Sequence, residues 1–296
     1  MQGRMAMCGL LLGASAAACA NEDMPVVFDG ELTYVADDNL SRAERERDRL
    51  GDQSLLVSAG AALRFSPGFK SAINIRGFAE AEKYENIRSL DRTTYGGQAI
   101  VRGQTRLGYT APVYQFSVTA QSDDYATDQR DSTVYAVQAF VQRRLTDDMT
   151  GSAGIEVQQR KSDGTVFDTE HGRIFANLDY AMSDVLSLYG AYSFMHGDTF
   201  SSAQLVLCNG VPANDIFGLV SSSDALEPDD AFNAEFCGSW IAYRLRADAH
   251  ALVLGLNRGF GHNFSADLSV QGVSVQGEGD NDYARTIVRA GILARF

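Results

Sequence analysis

The chain has 296 residues, 45% hydrophobic and 21% charged, a balance that fits one large β domain or two ordinary ones. Acidic residues outnumber basic ones 38 to 25, for a net charge of −13. That surplus argues against a nucleic-acid binder, whose phosphate partner needs a basic footprint. No segment approaches about 18 consecutive apolar residues, which excludes a transmembrane helix but not a membrane strand of about 9–11 alternating residues.

The first twenty residues, MQGRMAMCGLLLGASAAACA, differ from everything after them. Arg4 precedes a short apolar run, and Ala18-Cys19-Ala20 supplies the small residues of a cleavage site. The expectation is a signal peptide at 1–20, export, and a mature chain over 21–296. Cys8 and Cys19 leave with that peptide, whereas Cys208 and Cys237 share one long irregular stretch. In an oxidising compartment those two are expected to pair, at roughly 3–4 kcal/mol of chain-entropy stabilisation.

Alternating segments then recur, predicting twelve strands near 25–36, 53–65, 70–83, 94–109, 113–122, 132–145, 150–160, 171–181, 185–195, 239–256, 263–275 and 284–296. Short connections carry turn residues, as in SPGF (66–69) and TAPV (110–113). Long ones are charged, as in 37–52, 82–92 and 123–131, and the longest runs over 196–238. RAERERDRL reads as a short charged helix within its loop. Short turns on one side and long loops on the other are the pattern of a closed antiparallel transmembrane β-barrel, with periplasmic turns and extracellular loops. A soluble sandwich has no need of that asymmetry.

The two faces of each segment sort by character. In the fourth segment Ala99, Val101, Gly103, Thr105 and Leu107 oppose Gln98, Arg102, Gln104 and Arg106. The apolar face is assigned to lipid, and closure removes the unpaired edges lipid cannot tolerate.

The chain ends on RAGILARF, where Val288, Ala290, Ile292, Ala294 and Phe296 alternate with Arg289 and Arg295. This resembles the C-terminal signature of Gram-negative outer-membrane β-barrel proteins, with Gly291 and the terminal Phe296 in its characteristic places. The resemblance implies residence in outer-membrane lipid and delivery by the barrel-assembly machinery. It covers the last eight residues closely and the remainder only by architecture.

With the polar face turned inward, the lumen holds Arg64, Arg76, Arg102, Arg106, Arg144, Arg160, Arg173, Arg244, Arg246, Arg285, Arg289 and Arg295. Its acids are Glu80, Glu82, Glu156, Asp179, Asp248 and Asp267. Arginine pairs bidentately with carboxylate and phosphate, so Arg76, Arg102, Arg106, Arg244, Arg246 and Arg289 are the candidate pore lining. The reading is passive diffusion of small hydrophilic, anionic solutes. Ion pairs that fill a narrow barrel are the structural alternative, since twelve strands fall between a filled barrel and an open porin. A receptor, adhesin or scaffold working through its loops is the functional rival, and an outer-membrane hydrolase the third.

Ile216, Phe217, Leu219 and Val220 in the longest loop are expected to pack, either as a constriction or on top. Asp248 and His250 resemble the Asp–His pair of omptin proteases, but they fall mid-strand and are expected to form a lumen ion pair with Arg246 or a neighbour. No spacing of His or Cys predicts a metal site, the acidic GEGDND at 277–282 reads as a solvated loop ahead of a weak Ca²⁺ site, and no motif predicts a cofactor.

Overall fold

The computed structural model describes residues 26–279 and 281–296. The predicted signal peptide lies outside the described residues. The strands are β1 (Val26–Asp37), β2 (Asp52–Gly68), β3 (Ser71–Tyr84), β4 (Arg92–Gln104), β5 (Val113–Tyr125), β6 (Ser132–Arg144) and β7 (Met149–Ser162). They continue as β8 (Thr169–Ala181), β9 (Leu186–Val206), β10 (Ala225–Pro228), β11 (Ser239–Phe260), β12 (Phe264–Gly277) and β13 (Asn281–Arg295). All pair antiparallel in one sheet, and twelve close the barrel; the short β10 pairs only with the upper end of β11.

The seam between β1 and β13 runs from Asp29↔Arg295 to Asp37↔Ile287. Phe28 and Phe296 extend it by exchanging backbone hydrogen bonds of 2.8 and 2.9 Å. The aromatic that ends the chain is therefore part of the closure, with its ring edge-on to Phe264 at 5.8 Å.

The outer surface is greasy, as the alternation predicts. Leu32, Val57, Ile75, Val118, Ile155, Ile174, Leu254 and Ile292 all project outward and are exposed. An apolar belt of this extent has hydrocarbon as its natural solvent. Aromatics border it on both sides. Phe28, Phe65, Tyr114, Tyr180, Phe260 and Phe264 stand near the short turns, while Tyr34, Tyr95 and Tyr135 stand near the loops.

Inside, glycines accept large rings against the wall. A Cβ on Gly154 would meet Phe175 Cζ at 2.7 Å, and one on Gly255 would collide with the Tyr189 ring. Phe175 and Tyr189 therefore lie close against the backbone of neighbouring strands.

Two strands leave this regular wall. β9 pairs with β8 only as far as Gly197, and β11 pairs with β12 only as far as Ala247. Beyond those points the two continue together to the Val206↔Ser239 pairing. Gly197, at φ 144°, marks the departure, a conformation and a close approach to Glu170 and His171 that a Cβ would forbid. The predicted 196–238 loop is corrected accordingly: 196–206 is strand, and the connection begins at 207. The sequence concealed this because Ser201, Ser202 and Ala203 show no apolar alternation.

The connection carries two short helices, α1 (Ile216–Val220) and α2 (Asp230–Glu235). The predicted charged helix in the first long loop is only a 3-10 turn over Glu46–Asp48. Similar turns occupy Arg88–Leu90, Asp128–Arg130 and Thr165–Phe167 in the other long loops.

Candidate functional site: the lumen and its cap

On the inner wall five arginines are paired with acids on nearby strands. Arg92 reaches Glu82 at 2.8 Å and Arg173 reaches Glu156 at 2.7 Å, each between adjacent strands. Arg285 grips Asp37 bidentately across the β1–β13 seam. Arg76 pairs with Asp29 at 2.5 Å and Arg160 with Asp123 at 2.9 Å, each two strands away. These five pairs follow the wall, and none crosses the barrel axis.

The expected lining residues separate into three groups. Arg76, Arg102 and Arg289 sit on the inner face. Arg76 is bound to Asp29, whereas Arg289 donates to Gln271 at 2.8 Å. Arg102 stands at the short-turn end within electrostatic reach of Arg64 and Arg295. Arg106 lies in the 105–112 connection and is exposed.

Arg244 and Arg246 are corrected: they are not on the inner face. Leu252, Leu254 and Leu256 fix the even positions of β11 as outward, and the two arginines continue that face above the wall. Arg244 donates to the carbonyls of Thr165 and Asp168 at 3.0 and 2.8 Å, clamping the β7–β8 loop. Arg246 is exposed, with Asp198 4.0 Å away. The inversion has a physical cause. Ile241, Tyr243, Leu245 and Ala247 read as a lipid face, but they are buried in a water-side core.

Asp248 and His250 follow the same correction. They project from the outer face, where Asp248 bonds His196 at 2.7 Å and His250 bonds the Tyr192 hydroxyl at 2.8 Å. The two do not act on one another.

The long connection folds over the loop end of the barrel as a cap with three apolar clusters. On one face of the β9–β11 extension, Ile216 and Leu219 of α1 pack on Ile241, Tyr243 and Leu245, and on Val275 and Tyr283 of the wall. On the other, Trp240 packs with Phe232, Ile87 and Leu90. Val166 and Phe167 meet Ala242 beside Phe200. The expectation that the IFGLV run would pack holds for Ile216, Leu219 and Val220, whereas Phe217 is 61% exposed. Five residues in a helix present only one face inward, and Phe217 lies off it.

A buried ion pair joins these clusters. Asp229, which caps α2 by accepting from Phe232 N, receives Arg130 at 2.8 and 3.0 Å and the Ser202 hydroxyl at 2.5 Å. The Arg130 guanidinium also lies 4.3 Å from the Phe167 ring centre. Cys208 and Cys237 form a disulfide that closes the base of the connection. At the rim Arg45 and Arg47 converge on Asp215 at 3.0 and 2.7 Å. The Arg47 hydrogen bond holds the Asp215 carboxyl below its ordinary pKa. Asp48, fully buried in the adjacent turn, is shifted the opposite way by desolvation.

Sequence reasoning missed Arg42. It is the one non-glycine at positive φ among the described residues, 55°, and its guanidinium lies 4.0 Å from the Phe200 ring centre. Asn39 creates this bend by bonding the Ala43 N–H and carbonyl, both at 2.9 Å. An Asn three residues before an Arg carries no recognisable signal.

No family model matches the chain, and no curated protein matches it in sequence. Solved structures match it in fold. An outer membrane channel from Pseudomonas putida F1 superposes with a TM-score of 0.58 at 9% identity, over 92% of this chain and 95% of that one. The chain has the outer-membrane β-barrel fold. Looser superpositions relate it to the KdgM porin, with a TM-score of 0.40 at 10% identity, over 90% of this chain and 99% of that one. Outer membrane phospholipase A from Escherichia coli gives a TM-score of 0.46 at 11% identity, over 90% and 89%.

Proposed function

We propose that this barrel is an outer-membrane channel for passive diffusion of small hydrophilic solutes, with a preference for anions. The observation that carries the reading is the cluster of Arg64, Arg102 and Arg295 at the short-turn end. Arg64 and Arg295 have no carboxylate partner among the described residues. Further up, Arg289 has an amide rather than an acid for a partner. Among the inner-face acids, Asp29, Asp37, Glu82, Asp123 and Glu156 are each paired with an arginine, Asp267 accepts from Tyr189 and Asn257, and Glu31 and Glu80 form no ion pair among the described residues. The fold likeness to a channel supports the reading, and the paired wall is compatible with a water path.

The cap favours a second reading, a non-conducting receptor or scaffold, because three apolar clusters roof the loop end. Conductance separates the two. In a planar bilayer the purified chain is expected to carry a steady, anion-preferring current. Replacing Arg64, Arg102 and Arg295 with Gln is expected to move the reversal potential toward cations. No current from a correctly folded barrel rejects the channel in favour of the scaffold.

A further inference from the structure

The lipid-facing wall carries a recess of about 730 Å³ near the short turns of β4 to β7. Two rows of outward residues build it. In the row nearer the turns, Gly103 pairs with Tyr114, Tyr114 with Val141, and Val141 with Ala153. In the next row, Val101 pairs with Phe116, Phe116 with Ala139, and Ala139 with Ile155. Gly103, Ala139 and Ala153 have too little side chain to reach the level of the half-exposed Tyr114, Phe116 and Ile155, so the surface dips between them. The lining is overwhelmingly apolar. In hydrocarbon an unfilled recess forfeits dispersion contacts along its whole wall, which favours an occupant drawn from the bilayer.

The side of the recess toward the turns is cationic. Arg143 is the next outward residue of β6 after Val141, and it pairs with Gly151, two residues from Ala153 on β7. It is exposed and makes no hydrogen bond or ion pair among the described residues, although Asp147 and Asp148 stand in the turn that follows. Lys70 precedes Ser71 at the opposite end of the recess and donates to the Thr105 carbonyl at 3.4 Å, a neutral acceptor.

An arginine on the lipid face costs roughly 2–4 kcal/mol at mid-depth and about 0–1 kcal/mol near the interface. Arg143 stands beyond Tyr114, which belongs to the aromatic border on the turn side, so it reaches the depth of the lipid phosphates. A guanidinium there takes two phosphate oxygens at once. An apolar trough that ends on unpaired cations is the complement of a phospholipid, with the acyl chain in the trough and the phosphate at its rim. A second copy of the chain is a poorer complement. In a two-fold contact the patch meets itself, which sets Arg143 and Lys70 against their own counterparts.

We infer that the recess across β4 to β7 is a binding site for an anionic phospholipid of the leaflet on the short-turn side. One acyl chain lies over Ala139 and Ala153, and the phosphate sits on Arg143. This goes beyond the channel reading and stands whether or not the barrel conducts.

The test uses the full refolded chain in detergent, titrated with phosphatidylglycerol and followed by native mass spectrometry. Diacylglycerol with the same acyl chains is the control that lacks the phosphate. One phosphatidylglycerol is expected to stay bound at a concentration at least about fivefold lower than diacylglycerol requires. Arg143→Gln removes the charge and should weaken retention about fivefold, whereas Arg143→Lys should restore part of it. Ala139→Phe fills the recess and keeps both cations. It adds an apolar ring to a face already in lipid, so the barrel should fold while retention is lost. Equal retention of the two lipids by the wild type overturns the site. So does a folded Arg143→Gln or Ala139→Phe barrel that holds phosphatidylglycerol as tightly as the wild type. A lipid-free dimer that Ala139→Phe dissociates also overturns it, and assigns the recess to a second copy.

Discussion

The wall and the cap of this barrel solve the same problem of burial in two different solvents. In the wall, apolar side chains point away from the protein, and every strand edge is paired with a neighbour. In the cap, Trp240, Phe232, Ile216 and Leu245 point inward and are nearly inaccessible, as in a soluble protein. The two regimes meet along β9 and β11. Below Gly197 and Ala247 these strands obey the membrane rule, and above them the water rule. The same odd-numbered face of β11 carries Val253, Gly255 and Asn257 into the lumen and, further up, Tyr243 and Leu245 into the cap core. What counts as inside changes along a single strand.

That contrast predicts that cap and wall can be damaged separately. The largest effect is expected at Asp229. Asp229→Ala leaves Arg130 buried and unpaired and removes the α2 cap, which should loosen the cap by about 3–5 kcal/mol. Trp240 fluorescence should report solvent exposure, while circular dichroism shows the strands intact. Joint loss of both signals would show that the cap and wall are one cooperative unit.

Opening the disulfide comes next. Cys208→Ser releases a sequence separation of 29 residues and should cost the cap roughly 3–4 kcal/mol, read by faster amide exchange in 207–238 and unchanged exchange in β1 to β8. The mirror experiment strikes the wall. Leu254→Arg places a charge on the exposed apolar face and should destabilise the barrel in lipid by roughly 2–4 kcal/mol. Trp240 should report an unchanged cap in the fraction that folds.

The smallest effect is a pH dependence confined to the cap. Desolvation raises the pKa of Asp48 above 3.8, so the folded cap holds its proton where the open state has already lost it. Cap stability should therefore fall as pH rises from 3.8 to the raised value, and change no further below 3.8. Amide exchange in 38–51 across that window should show the slope, and Asp48→Asn should flatten it.

Twelve strands, their pairing sense, the short turns and the long loops were legible in the sequence, because a strand with lipid on one side and water on the other must alternate. Phe296, Gly291 and the inward placement of Arg76, Arg102 and Arg289 follow from the same period. Arg244, Arg246 and Asp248 went to the wrong face because periodicity reports that a strand has two environments but not which solvent lies on which side. Arg42 and Asp229 were invisible for a different reason. Their roles come from contacts between loops far apart in the chain, such as Arg130 with Asp229.

By itself, then, the sequence determined the closed wall, since alternation and turn chemistry are local and lipid enforces one register. Only the tertiary structure decided the cap, its buried Arg130–Asp229 pair and the fate of upper β11, because those depend on which loops meet above the barrel once it has closed.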